Sequence, residues 1–171
     1  QSNKSRNYFS GRRSDVSFRY THQDEKNNFE LLTYYIDSFR TSDLETDVSA
    51  TTSRMDTSPR DYKVFAIEPR WSRAYEFTIG YRYLDENSSE FSGRSSTYAL
   101  NAPVTEIKAR TTSEGGTKVH AIYAENRFDL GNWVITPGLR FESIETHNNF
   151  TAYNQGVAVN TVFPKIDSDE L

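Results

Sequence analysis

The chain has 171 residues, which suits one domain or a piece of a larger one, and its 24 Asp and Glu against 20 Lys and Arg leave a net charge of −4. That balance argues against a nucleic-acid binder, which normally shows a basic face, and the absence of cysteine excludes disulfide frameworks, zinc-thiolate sites and thiol catalysis. No apolar run approaches the ~20 residues of a membrane helix, but the strands of a membrane barrel need only about 9–11 residues each, half of them free to be polar.

In chain order, six segments alternate with period two, the signature of half-buried strands. RSDVSFRYTH (13–22) sets Val16, Phe18 and Tyr20 against Ser17, Arg19 and Thr21. NFELLTYYIDSFR (28–40) is mixed on both faces. DYKVFAIEPRW (61–71) sets Phe65, Ile67 and Trp71 against Tyr62, Ala66 and Glu68. YEFTIGYRYL (75–84) is the cleanest, with Tyr75, Phe77, Ile79, Tyr81 and Tyr83 opposite Glu76, Thr78, Gly80 and Arg82. KVHAIYAENRF (118–128) is the fifth. NWVITPGLRFESIETHNNF (132–150) is the sixth, with Trp133, Ile135, Pro137, Leu139 and Phe141 on one side. VAVNTVFPKI (157–166) begins a seventh.

The connections alternate as well. QDEKN, SRA (72–74) and DLGN (129–132) are short, whereas about 41–59, 85–117 and 145–156 are long and polar. Outer-membrane barrels join strands this way, with short periplasmic turns and long extracellular loops. The pattern predicts an all-β, antiparallel transmembrane β-barrel segment with those three stretches and residues 1–12 outside the cell. Six or seven strands fall short of the ~8 of the smallest bacterial barrels, so the chain reads as an excerpt of a larger one. A soluble all-β binding module is the alternative, in which the apolar faces meet a protein core instead of lipid.

The blocks SPRDYKVFAIEPRWS (58–72), GYRYLDENSSE (80–90), HAIYAENRFDLGNW (120–133) and GNWVITPGLRFESIE (131–145) resemble the barrel of TonB-dependent outer-membrane receptors. The SPR-x-Y…IEPR block is similar to members that take up ferric citrate. The resemblance implies part of a plugged barrel of about 22 strands in the bacterial outer membrane. It implies uptake rather than an enzymatic reaction, with the plug domain and the TonB-contacting segment outside this chain. The implied partners are ferric citrate or a related ferric siderophore, TonB through the missing parts, and outer-membrane lipid, with no nucleic acid. The implied cofactor is none, because iron comes chelated by the ligand. By the same resemblance Arg40 in SFRTS, Arg60 in SPRDY and, with a slip in register, Arg110 are the ligand arginines. A guanidinium suits a carboxylate-rich ligand because its planar fork donates two parallel bonds and stays charged. Another carboxylate siderophore or haem remains an alternative ligand.

The remaining polar residues give weaker signals. Glu68, Glu76, Arg82, Arg140 and Glu142 share the lumen parity and read as ion-pair ladders. His22, His120 and His147 lack metal-ligand spacing, and His120 is expected mid-strand where it could line the lumen. Asp43, Glu45, Asp47 and Asp56 match no calcium loop and read as a solvated acidic stretch. Trp71, Tyr75, Tyr81, Tyr83 and Trp133 read either as interfacial anchors or as core aromatics.

Overall fold

The structure is a computed structural model and describes residues 4–74, 76–100, 102–154, 157–161 and 166–170. Six long strands dominate: β1 (Ser5–Gln23), β2 (Asn27–Asp47), β4 (Arg60–Arg73), β5 (Phe77–Ser95), β7 (Ile107–Asn126) and β10 (Gly138–Asn154). Between or after them come β3 (Thr52–Thr57), β6 (Tyr98–Ala99), β8 (Phe128–Leu130), β9 (Trp133–Ile135), β11 (Val157–Thr161) and β12 (Ile166–Glu170). All pairings are antiparallel. The sheet has ten strands, with β8 and β9 forming a separate two-stranded ribbon.

The turns at one end are short for local reasons. Asp24 accepts hydrogen bonds from the backbone N–H of Lys26 at 2.8 Å and of Asn27 at 2.6 Å, an Asx turn that closes β1 onto β2. The Asn27 side chain, then these two N–H groups, hold the Asp24 carboxyl below its ordinary value. Ala74, at φ 51°, turns β4 into β5. Between β7 and β10 the chain continues in the same register as β8 and β9, with Phe128 opposite Ile135 and Leu130 opposite Trp133. Pro137 has no N–H to give and marks the gap between ribbon and sheet. Gly131, at φ 67°, makes the tip.

Register assigns the faces, since partners across a ladder share one. One face carries Val16, Phe18 and Tyr20 of β1 and Leu31 and Tyr35 of β2. It continues through Phe65, Ile67 and Trp71 of β4, Ile79, Tyr81 and Tyr83 of β5, Ile122 of β7, and Leu139 and Phe141 of β10. These side chains stay open, with Phe18 at 55% and Leu139 at 70% exposure. A soluble sandwich buries such a face under a second sheet; among the described residues nothing covers it. The apolar band spans Trp71 to Phe65 on β4 and Phe77 to Tyr83 on β5, close to the ~9–11 residues that cross a bilayer. Above it the same face turns charged, with Lys63, Asp85 and Lys118. Paired aromatics mark its lower edge: Tyr20 with Phe29, ring centres 6.4 Å apart, and Trp71 with Phe77 at 6.1 Å. Tyr75 lies outside the described residues.

The opposite, inner face holds the buried hydrophobic side chains. Ala66, Ala121 and Val64 lie in contact with their cross-strand neighbours, Ala66 with no exposure at all. Tyr34, Ala66, Leu84, Val119 and Ile144 form one apolar row across it. This row explains the mixed pattern of β2, whose two faces are both partly apolar. Lower down, ion pairs line the wall: Arg82 with Glu68 at 3.1 Å, Arg70 with Glu30 at 3.1 Å, and Arg140 with Glu142. Gly80 belongs here because the Tyr123 ring lies over it, 2.2 Å from where a Cβ would stand.

Strand structure continues into the stretches expected as loops. Residues 41–47 belong to β2, 52–57 to β3, 85–95 to β5, 107–117 to β7 and 145–154 to β10. Their Ser and Thr side chains sit well on a pleated surface, and each has a neighbouring strand to complete its ladder. The long strands therefore project well beyond the apolar band. Of the predicted seventh strand, residues 157–161 and 166 are in strands paired with β10, and 162–165 lie outside the described residues.

Candidate anion site

Arg40 and Arg60 are direct register partners on β2 and β4. Each ends a run of even-numbered positions on the inner face, Arg40 after Ile36 and Ser38, Arg60 before Tyr62 and Val64. Arg40 lies five residues past Tyr35, at the top of the apolar band, or roughly 16 Å along the strand. The pair thus stands at the projecting end of the sheet and is exposed to solvent.

The row continues through Glu90 of β5 to Ser113 of β7 and Phe150 of β10. Arg60 Nη2 lies 2.8 Å from Glu90 Oε1, and both side chains are about half exposed. Arg40 has no ion pair among the described residues. Like charges directly opposite each other are unfavourable on a sheet. Glu90 relieves this for Arg60, and Arg40 keeps an uncompensated charge.

Hydroxyls frame the pair on the same face. One step below, Ser38, Tyr62 and Ser88 align with Asn148 beyond Gly115. Above, Ser42 and Ser58 exchange backbone hydrogen bonds at 3.3 and 2.9 Å, and Ser92 pairs with Thr111. A further step up, Arg94 donates to Asp56 at 2.9 Å. On β1, Gly11 abuts Arg40 and Arg13 shares the row of Ser38, its guanidinium held by Asp15 at 2.9 Å. The wall therefore combines two adjacent cations, neutral donors on both sides, and one carboxylate on the second cation.

Arg110 is separate from this pair. Opposite it, Ser92 pairs with Thr111 while Gly93 pairs with Ala109, so Arg110 is the extra residue of a β-bulge. Bulges re-aim side chains at strand ends. Arg110 is exposed, two strands across from Arg60 and three residues beyond Ser113. The structure brings Arg40 and Arg60 together and sets Arg110 on the neighbouring part of the same rim.

Other candidates are resolved differently from their expectation. His120 does not line the inner face: it pairs with Tyr83 on the apolar face, shares a hydrogen bond of 2.7 Å with the Tyr81 hydroxyl, and lies with its ring tilted against that of Tyr83, centres 5.0 Å apart. The acidic stretch is consumed by internal bonds. Arg6 reaches Asp47 at 3.0 Å and Glu45 at 3.4 Å, Asp56 holds Arg94, and Asp43 holds Thr57. Among the described residues no group of three or more His, Cys, Asp or Glu could hold a metal ion. Glu90 and the hydroxyl rows are the elements that sequence reasoning missed. Parity from Arg82 would have put Glu90 on the inner face, but not beside Arg60.

A family described as TonB dependent receptor-like, beta-barrel, matches residues 1–167. Among solved structures, the chain is similar to the ferric citrate transporter FecA in its unliganded form, at 31% identity and a TM-score of 0.63. That match covers 83% of this chain and 22% of the transporter.

Proposed function

The chain belongs to the β-barrel of the TonB-dependent receptors, outer-membrane transport proteins rather than enzymes, and on that premise we propose that it carries the capture site for a ferric carboxylate chelate, ferric citrate first. The observation that carries this reading is the register pairing of Arg40 with Arg60 at the projecting end of the inner face. Two adjacent guanidinium forks present parallel donors to a polycarboxylate, and the hydroxyls above and below add neutral donors without adding charge. Arg110, on its bulge, is the third cation for a ligand wide enough to span two strands. The stretches at 41–59, 85–117 and 145–156, largely projecting strand, are extracellular in this reading and frame the ligand. Iron stays within its chelate, and the protein supplies no metal ligand.

In the complete receptor, capture at the mouth precedes a TonB-driven rearrangement of the plug. Haem loses support as the alternative ligand because His120 faces away from the inner wall. Other ferric carboxylate siderophores remain the competing class, since the same forks would hold them.

The test is a titration of ferric citrate into the complete receptor, beside an Arg40→Ala/Arg60→Ala variant. Removing one side of a desolvated charge pair costs about 2–5 kcal/mol, so affinity should fall well over tenfold. Binding that survives in the variant moves the site elsewhere. No binding by the parent receptor retires citrate and turns the search to other ferric chelates.

A further inference from the structure

We infer that Glu90 is an internal competitor for the site, a carboxylate that occupies Arg60 until a ligand carboxylate takes its place. The inference rests on the reading of Arg40 and Arg60 as the capture pair. Its ground is the unequal treatment of two like residues. Arg60 is ion-paired with Glu90 at 2.8 Å, and Arg40, its register partner, has no ion pair among the described residues. Glu90 follows Arg60 in the same inner-face row, so the three charges stand on adjacent strands in the order cation, cation, anion. The nearest inner-face rows above and below hold serine, threonine and tyrosine beside Arg60, so Glu90 is its nearest anion on this wall.

Such a pair is suited to exchange. Both partners are about half exposed, and an ion pair open to water is weak enough for a second carboxylate to replace it. A ligand with one carboxylate would meet Arg40 freely but would have to displace Glu90 to gain Arg60. A ligand with several carboxylates engages Arg40 first and holds a second group close to Arg60 at high effective concentration. Glu90 therefore penalises ligands that engage both arginines by the strength of one ion pair, and only a ligand of high carboxylate count recovers it. Glu90 is a positioning and selectivity residue here, acting through Arg60.

The experiment uses the complete receptor and two readouts. Ferric citrate affinity is measured for the parent, Glu90→Gln, Arg60→Ala and the double variant, and the labelling rate of Arg60 by phenylglyoxal is followed by mass spectrometry without ligand. Glu90→Gln should tighten ferric citrate about two- to fivefold, the range of a solvent-exposed ion pair. The gain should vanish in the Arg60→Ala background, and Arg60 should label faster once Glu90 is neutral. Unchanged or weaker binding by Glu90→Gln with Arg60 present overturns the inference, as does an equal gain without Arg60. If the parent fails to bind ferric citrate, or binds it independently of Arg60, the capture reading fails and the competitor role falls with it. The labelling rate then reports separately whether Glu90 shields Arg60, and an unchanged rate overturns that as well.

Discussion

Tyr98 donates a hydrogen bond to Glu45 at 3.0 Å, tying the short strand β6 to the far end of β2. Burial, then this bond, push the Tyr98 phenol up to about 12. The raised value stabilises the neutral phenol in the fold. Its contribution is complete below the ordinary tyrosine range and is lost as pH rises through the folded value. A spectrophotometric titration of the parent minus Tyr98→Phe should therefore show a tyrosinate midpoint near 12. A midpoint at the ordinary value near 10 would mean that the contact is not kept in solution.

The face assignment makes a second prediction, at the middle of the apolar band. Ile122 lies in one row with Tyr81 and Phe141 and is 51% exposed on that face. A lysine at the bilayer midplane of a barrel costs about 2–4 kcal/mol. Ile122→Lys should destabilise the receptor by about that much in a lipid-bilayer refolding titration, and Ile122→Leu by far less. A small effect from the lysine variant would mean that this face meets water or protein.

The tip of the β8–β9 ribbon supplies a third. Gly131 has φ 67°, and beyond its own chain neighbours no described atom lies within 4 Å of where a Cβ would stand. The objection to a side chain here is conformational, not steric crowding. Gly131→Ala should cost about 1–2 kcal/mol, and Gly131→Asn less, because asparagine tolerates the left-handed region. Equal stabilities for the three in thermal unfolding in detergent would place the turn in another conformation.

The sequence was most readable where polarity alternates cleanly. Ile79, Tyr81 and Tyr83 against Thr78, Gly80 and Arg82 leave one choice of face, and the register agrees with it. Reading failed where both parities are apolar. In β7, Val119, Ala121 and Tyr123 compete with Ile122 and Ala124, so nothing local decides where His120 points; pairing with Tyr83 on β5 does. Strand length was hidden for another reason. Residues 41–57 are hydroxylic and acidic, a composition common to loops; all but 48–51 are strand, and β3 has partners distant in sequence such as Arg94 and Tyr98. The family resemblance singled out Arg40 and Arg60 as residues, and the ladder between β2 and β4 is what makes them neighbours. Glu90 was not legible as their neighbour because its depth depends on how far β5 extends.

Every long ladder in the sheet joins a strand to the next long strand along the chain: β1 to β2, β2 to β4, β4 to β5, β5 to β7 and β7 to β10. Among the described residues no strand lies between two others that both precede it in sequence. Such a meander lengthens one hairpin at a time, and each added hairpin restores the same inside and outside faces. Duplication or loss of a hairpin thus leaves the in–out phase of all other strands intact. In a wall built this way, circumference changes in steps of two strands, while a rim feature such as the Arg40–Arg60 pair travels whole with the strands that bear it.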